Sequence, residues 1–231
     1  MAILAGGLGT RLGELTADTP KALIPINGRA FIEIQLELLA SQGVKEVVIC
    51  VGHFAEKIEA LLSTLRLPDL TVHVSNDGPK MLGTGGAISN ALPLLGDSFG
   101  VLYGDSYLEL DFLEISKYFQ KESAPSMMTY TKNHGEEHVS NIYRKSSNLI
   151  YYDKNNFQTG MNFIDFGMTF FKASTFARYP ARSSFDLADV LNSLSNSSEL
   201  IGFQVEKNFF EIGSIKGIKQ LEKYLADRNS D

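Results

Sequence analysis

The 231-residue chain has a single cysteine, so no internal disulfide is available and a reducing compartment is the expected setting. That residue, Cys50, lies in the apolar run Val47–Val51 and reads as a small buried hydrophobe. A basic excess is missing too. The formal net charge of -6 argues against a general nucleic-acid binder, while leaving room for a local cationic pocket. No stretch approaches the roughly 18 uninterrupted apolar residues of a membrane span. Met1 leads toward a glycine loop without a charged leader. The expectation is a cytoplasmic protein with neither membrane nor nucleic-acid partner. The four histidines lack metal-ligand spacing; His134 and His138 bracket Gly135 in polar surroundings, which disfavours zinc. His53 after Gly52 reads equally as a pocket residue or an ordinary loop histidine. Neither a G-x-S-x-G elbow nor a Cys-His arrangement suggests a nucleophile.

What is present is glycine in telling places. Gly6-Gly7-Leu8-Gly9-Thr10-Arg11-Leu12 follows a short apolar strand, Ala2 to Ala5. Glycines let a backbone approach another molecule with no Cβ in the way. A strand entering such a loop aims N–H groups at phosphate, and Arg11 adds a planar cationic fork. The loop is no Walker A motif, since no Gly-Lys-Ser/Thr follows, and it misses the dinucleotide fingerprint by one residue. Taken alone, phosphate binding and a plain strand-to-helix turn fit it equally.

Further along, Thr19 to Ile26 reads as a stiff extended segment pinned by Pro20 and Pro25. Helices are expected over 31–42, 54–65, 87–95, 112–120, 185–194 and 214–226. Strands are expected over 46–51, 70–74, 99–103, 127–131, 140–143, 149–152 and 162–171, with Gly83 to Gly86 interrupting the pattern. In the last helix, Ile215, Ile218, Leu221 and Leu225 form an apolar stripe that reads as core. The early βαβαβ alternation argues for a parallel sheet covered by helices. Without repeats or a linker, one domain over 1–231 is favoured.

Ligands of open α/β sheets sit beyond the carboxyl ends of the strands. Asp105, directly after an apolar strand and Gly104, is therefore a candidate Mg²⁺ ligand or a plain turn aspartate. Glu211, in Phe209-Phe210-Glu211-Ile212-Gly213, is a second candidate, although an exposed strand-end charge fits slightly better. Lys21 sits in the rigid proline-bounded segment, and Lys154 follows Asp153 at a strand end.

These residues together resemble the sugar-1-phosphate nucleotidyltransferases, whose signature is a G-G-x-G-T-R-L loop followed by P-K-x-L-x-P, here Pro20-Lys21-Ala22-Leu23-Ile24-Pro25. The resemblance runs nearly end to end. It implies an α/β fold: a Rossmann-like three-layer sandwich with a mostly parallel mixed central sheet, of the nucleotide-diphospho-sugar transferase (GT-A-like) kind. Residues 1–110 would be the nucleotide-binding half and 111–231 the sugar-phosphate half. The implied partners are an NTP and a sugar 1-phosphate, with Mg²⁺ as cofactor; a homo-oligomer is left open. Implied nucleotide-binding residues are Ala5, Gly6, Gly7, Gly9, Thr10, Arg11, Asn76, Gly83, Thr84 and Gly85. Arg11, Lys21 and Asp105 would be catalytic, and Asp105 and Glu211 would hold the metal. Asp153, Lys154, Asp165 and Gly167 would meet the sugar phosphate. The chain departs from the family pattern at Asp165 (usually Asn), Asp153 (usually Glu) and Glu211 (usually Asp). Leu82 to Ile88 and the compact length look most like heptose- and mannose-1-phosphate guanylyltransferases, which implies GTP as donor; UTP, CTP or dTTP are the alternatives. An NAD-dependent oxidoreductase is disfavoured, because the ribose-binding acidic residue expected about 20 positions after the loop is replaced by the proline segment. A catalytically silent nucleotide-sugar-binding regulatory protein is the remaining rival.

Overall fold

The computed structural model describes residues 1–7, 12–13, 16, 18–135, 139–180, 182–207 and 209–228. Its centre is set by three short apolar strands that pair in parallel. β1 (Ala2–Leu4) lies between β4 (Glu46–Val51) and β6 (Ser98–Tyr103), and β5 (Thr71–Asn76) adds to β4. Side chains alternate faces along each strand. Val47, Ile49 and Val51 therefore enter one apolar cluster, and Val48 and Cys50 the cluster on the opposite face. Both faces are covered, so the strand reads as an unbroken apolar run rather than an alternating one.

Helices α1 (Phe31–Ser41), α2 (Ala55–Leu62) and α4 (Phe112–Lys121) cover the first face through Ile32, Leu36, Leu39, Ile58, Ile115 and Phe119. Helices α3 (Gly83–Ala91) and α5 (Leu187–Asn196) cover the second through Ile88, Leu191 and Leu194. Each fully buried side chain of this size contributes about 1.5–3 kcal/mol. Asp111 caps α4 by accepting Glu114 N–H at 2.8 Å, and Asp186 caps α5 by accepting Ala188 N–H at 3.0 Å.

The sheet continues past β6 with β11 (Phe163–Lys172), which runs antiparallel to it. β8 (Ser126–Lys132) and β9 (Ile142–Arg144) pair with β11; β10 (Ile150–Tyr152) follows β9, and β12 (Leu200–Gln204) lies parallel to β8. Among the described residues this makes a nine-stranded mixed sheet, parallel at its centre. Residues before and after 110 thus share one sheet. The short antiparallel pair β2 (Pro25–Ile26) and β3 (Arg29–Ala30) leads into α1, and a small third cluster gathers Ile26, Phe31, Tyr107 and Ile212 under α6 (Ile215–Arg228).

Four readings of the sequence need correction. Lys21–Leu23 is one 3-10 turn rather than extended chain, because Leu23 and Ile24 N–H close back onto the Pro20 and Lys21 carbonyls. The Gly83–Gly86 stretch does not interrupt the pattern; it is the first turn of α3. Tertiary packing overrides the weak helix propensity of glycine there. Phe54, expected to open a helix, precedes α2 in the left-handed region. In α6, Ile218 and Leu221 are buried as expected, but Ile215 is 58% exposed, since the helix starts at that residue beyond the edge of the core.

Candidate active site

The parallel strands end on one rim, and two hollows open there. The first, of about 210 Å³, is lined by Leu4 to Gly7, Lys21, Asp77, Met81, Gly83, Thr84 and the Tyr103–Asp105 turn. The second, of about 280 Å³, is lined by Asn141, Tyr152, Lys154, Asp165, Gly167, Phe209 and Glu211. Tyr103 and Asp105 belong to both. Asp105 therefore stands on the wall that separates the hollows.

Local structure explains this meeting. The 3-10 turn after Pro20 presents the Lys21 ammonium, which donates to Asp105 Oδ2 at 2.9 Å. Strand β13 (Phe209–Glu211) pairs antiparallel with β7 (Ser106–Leu108), putting Glu211 opposite Ser106, while Ile212 N–H donates to the Asp105 carbonyl at 2.9 Å. Neither β7 nor β12 is visible in the sequence pattern. Below the turn, buried Gln35 donates to the Tyr103 and Ser106 carbonyls at 3.1 and 2.7 Å, which fixes the turn from α1.

In the second hollow, Asp165 N–H donates to Asn141 Oδ1 and its own Oδ1 accepts Gly167 N–H at 2.8 Å. The pairing of β11 with β8 shifts register between Asp165 and Thr169. Burial pushes the Asp165 carboxyl up to about 6; the Gly167 N–H opposes this, Glu211 adds like-charge repulsion, and Lys154 pulls it back down. Lys154 lies in the field of Asp165 and Asp186 but forms no ion pair within 4 Å among the described residues. Burial likewise raises the Tyr103 and Tyr152 hydroxyls, with Asp165 adding to the shift.

Asp165 binds its proton more tightly in the folded state than in the unfolded chain. The stability linked to that proton is complete below the ordinary value of 3.8 and is lost as pH rises through about 6. Asp165→Asn keeps an acceptor for Gly167 and removes the charge. It is expected to stabilise the protein by about 1–3 kcal/mol above pH 6 and to give no gain at pH 4. Thermal melts across pH 4–8 check this; a gain that did not depend on pH would refute it.

Of the residues singled out from sequence, Ala5, Gly6, Gly7, Lys21, Gly83, Thr84 and Asp105 line the first hollow, and Lys154, Asp165, Gly167, Asp105 and Glu211 the second. Three are placed otherwise. Gly85 turns away: its N–H donates to the Phe185 carbonyl, and a Cβ there would lie 2.4 Å from the Phe185 ring. Asn76 faces an adjoining hollow with His53, its Oδ1 accepting Gly78 N–H. The Asp153 carboxylate folds onto its own loop, accepting Asn155 and Asn156 N–H, which holds it below the usual range despite the opposing effect of desolvation. Gly9, Thr10, Arg11 and His138 lie outside the described residues. Met81, Asn141 and Tyr152 line the hollows without having been singled out from the sequence, and Asp77, at the end of the Ser75–Asp77 stretch, lines the first.

Mg²⁺ on a nucleotide usually takes one or two carboxylates, phosphate oxygens and water. Asp105, in the turn before β7, and Glu211, at the end of β13, line one hollow and supply two such hard oxygen donors, so these residues fit that cation.

A three-layer α/β sandwich with its ligand hollows at the carboxyl rim, one beside a glycine loop, defines a nucleotide-binding architecture of the GT-A-like kind. Comparison makes this specific: the chain matches the nucleotidyl transferase family over residues 1–227 and belongs to it. It is 37% identical over 114 residues to a D-glycero-alpha-D-manno-heptose 1-phosphate guanylyltransferase from Campylobacter jejuni, covering 49% of this chain and 50% of that one. It is 27% identical over 221 residues to a mannose-1-phosphate guanyltransferase from Schizosaccharomyces pombe, covering 93% of this chain and 61% of that one. The matches thus span between 50% and 61% of these curated relatives' own length. Among solved structures, HddC from Yersinia pseudotuberculosis superposes with a TM-score of 0.83 at 25% identity, covering 97% of this chain and 98% of that one. A UTP-bound UGPase from Acinetobacter baumannii shares the fold, with a TM-score of 0.78 at 16% identity over 97% of this chain and 92% of that one.

Proposed function

We propose that this protein transfers a nucleotidyl group from a nucleoside triphosphate to a sugar 1-phosphate, with GTP and a heptose or mannose 1-phosphate as the pair. The observation that carries the reading is the shared wall: two hollows, one beside the glycine loop and one holding Lys154, meet at Asp105. The guanylyltransferase relatives support the choice of base and sugar.

The reaction joins two anions. A phosphate oxygen of the sugar phosphate attacks the α-phosphorus in line; the new P–O bond forms as the bond to the β-phosphate bridging oxygen breaks, and pyrophosphate leaves with the electron pair. The attacking phosphate is already ionised near neutral pH, so no general base is required. The work is alignment and charge neutralisation. Gly6, Gly7 and Arg11 hold the β- and γ-phosphates, Lys21 faces the α-phosphate, and Lys154 receives the incoming phosphate. Asp105 and Glu211 would hold Mg²⁺, which supplies positive charge against the developing negative charge when bound. No helix among the described residues is long and apolar enough to cross a membrane.

The test is pyrophosphate release with each common NTP against a panel of hexose and heptose 1-phosphates. Release restricted to one pair identifies the substrates; tight nucleotide-sugar binding without release would favour a regulatory role instead. Within the active pair, Lys154→Ala is expected to raise KM for the sugar 1-phosphate about 10–100-fold, the worth of one charge-assisted contact. KM for the nucleotide should stay within about threefold. Equal loss on both substrates would remove Lys154 from the acceptor side.

A further inference from the structure

The second hollow is unevenly charged. Among the described residues that line it, Asp105, Asp165 and Glu211 carry carboxylates and only Lys154 carries a cation. In the reading above, Asp105 and Glu211 serve Mg²⁺ and Lys154 serves the incoming phosphate. Asp165 is left over. Tyr103 and Tyr152 add hydroxyls that burial keeps neutral, and Asn141 adds an amide, so these neighbours do not offset its charge. The family pattern usually has asparagine at this position, which makes the charge particular to this chain.

The carboxylate is also held in place. Asp165 N–H donates to Asn141 Oδ1 at 3.1 Å, and Asp165 Oδ1 accepts Gly167 N–H at 2.8 Å. Gly167, at φ 102°, turns the chain back to make that second bond. No described residue donates to Asp165 Oδ2, which leaves that oxygen to the hollow. The residue is half-buried, and desolvation is the largest influence on its carboxyl. Charge that is short of water is poorly screened. In a hollow of about 280 Å³, a second anionic group on a bound sugar would come within several ångströms of Asp165. Placing like charges together is a physical means of rejecting one ligand in favour of a near-identical one. An amine in the same place would instead form a charge-assisted hydrogen bond.

We propose that Asp165 sorts acceptors by charge, admitting sugar 1-phosphates whose ring substituents are neutral or carry an amine and rejecting those with a second anionic group. This rests on the nucleotidyl-transfer reading above. The probes are mannose 1-phosphate, mannuronic acid 1-phosphate and 6-amino-6-deoxymannose 1-phosphate, which differ only at C6. Assays at pH 8 keep Asp165 ionised, since burial pushes it up to about 6. With GTP as donor, native kcat/KM is expected to be about 100-fold lower for the acid than for the neutral sugar. Asp165→Asn, which keeps an oxygen for Gly167, should narrow that gap to about tenfold or less and abolish any advantage of the amine, with no fall in melting temperature. Calorimetric binding of the three sugar 1-phosphates to both proteins gives the same comparison without turnover. An acid used as readily as the neutral sugar, or a gap unmoved by Asp165→Asn, overturns the assignment. Binding that disfavours the acid only while Asp165 is present, with no pyrophosphate release from any pair, would support the assignment and sink the catalytic reading. Failure to bind any of the three overturns both.

Discussion

Replacing Asp105 with asparagine is expected to lower kcat about 10²–10³-fold, the usual effect of removing one preorganised electrostatic contact. The reason lies in the charge count at the shared wall. In the proposed reaction both reacting groups are anions, and two like charges a few ångströms apart in a partly dry site repel by several kcal/mol. Asp105 does not offset this itself; it holds Lys21 at 2.9 Å and shares the second hollow with Glu211, with which it is proposed to hold Mg²⁺. Asparagine keeps an oxygen for Lys21, so folding should be nearly unaffected. Initial rates of pyrophosphate release at saturating substrates, read beside a thermal melt, separate the two effects. A variant that melts normally and turns over at the native rate would take Asp105 out of the chemistry. One that loses activity only because it unfolds would make the residue structural.

The second large effect is expected at Gly217→Ala. Alanine is worth about 1 kcal/mol more than glycine inside a helix, so propensity alone predicts stabilisation. Packing predicts the reverse, and the magnitudes decide. A Cβ on Gly217 would lie 1.9 Å from the Glu211 carbonyl oxygen. That neighbour is backbone, so no rotamer change relieves the clash, and overpacking of this kind costs about 1–3 kcal/mol or more. We expect a net loss of roughly 2 kcal/mol by chemical denaturation, together with reduced activity, because α6 must back away from the strand that carries Glu211. The two readouts should fall together; unchanged stability would mean that the helix accommodates the methyl group.

Much of this was legible in the sequence because the central strands obey a strong rule. Val47 to Val51 must be buried on both faces, and a run of that kind followed by helical spacing leaves little choice but a covered parallel sheet. The glycine loop and Pro20–Pro25 pointed to the rim where Lys21 and Asp105 meet. What escaped depends on contacts distant in sequence. The first turn of α3 is glycine-rich because Gly85 and Gly86 N–H reach the Phe185 carbonyl and leave no room for side chains, a fact invisible within any local window. Strand β7 is three residues long and exists only because β13 pairs with it. At the end of β5, Asn76 and Asp77 fall on different hollows, and a reading good to one residue cannot tell neighbours apart when each step along a strand reverses the side chain.

The order of strands has a last consequence for how the molecule comes into being. β11 closes the flank of β6, and the carbonyl that secures the opening turn of α3 arrives a hundred residues after it. A nascent chain halted at residue 110 would expose an unzipped β6 and an untethered α3. The rim beside Gly6 and Gly7, although built almost wholly from residues before 110, is therefore finished only once residue 185 has joined it.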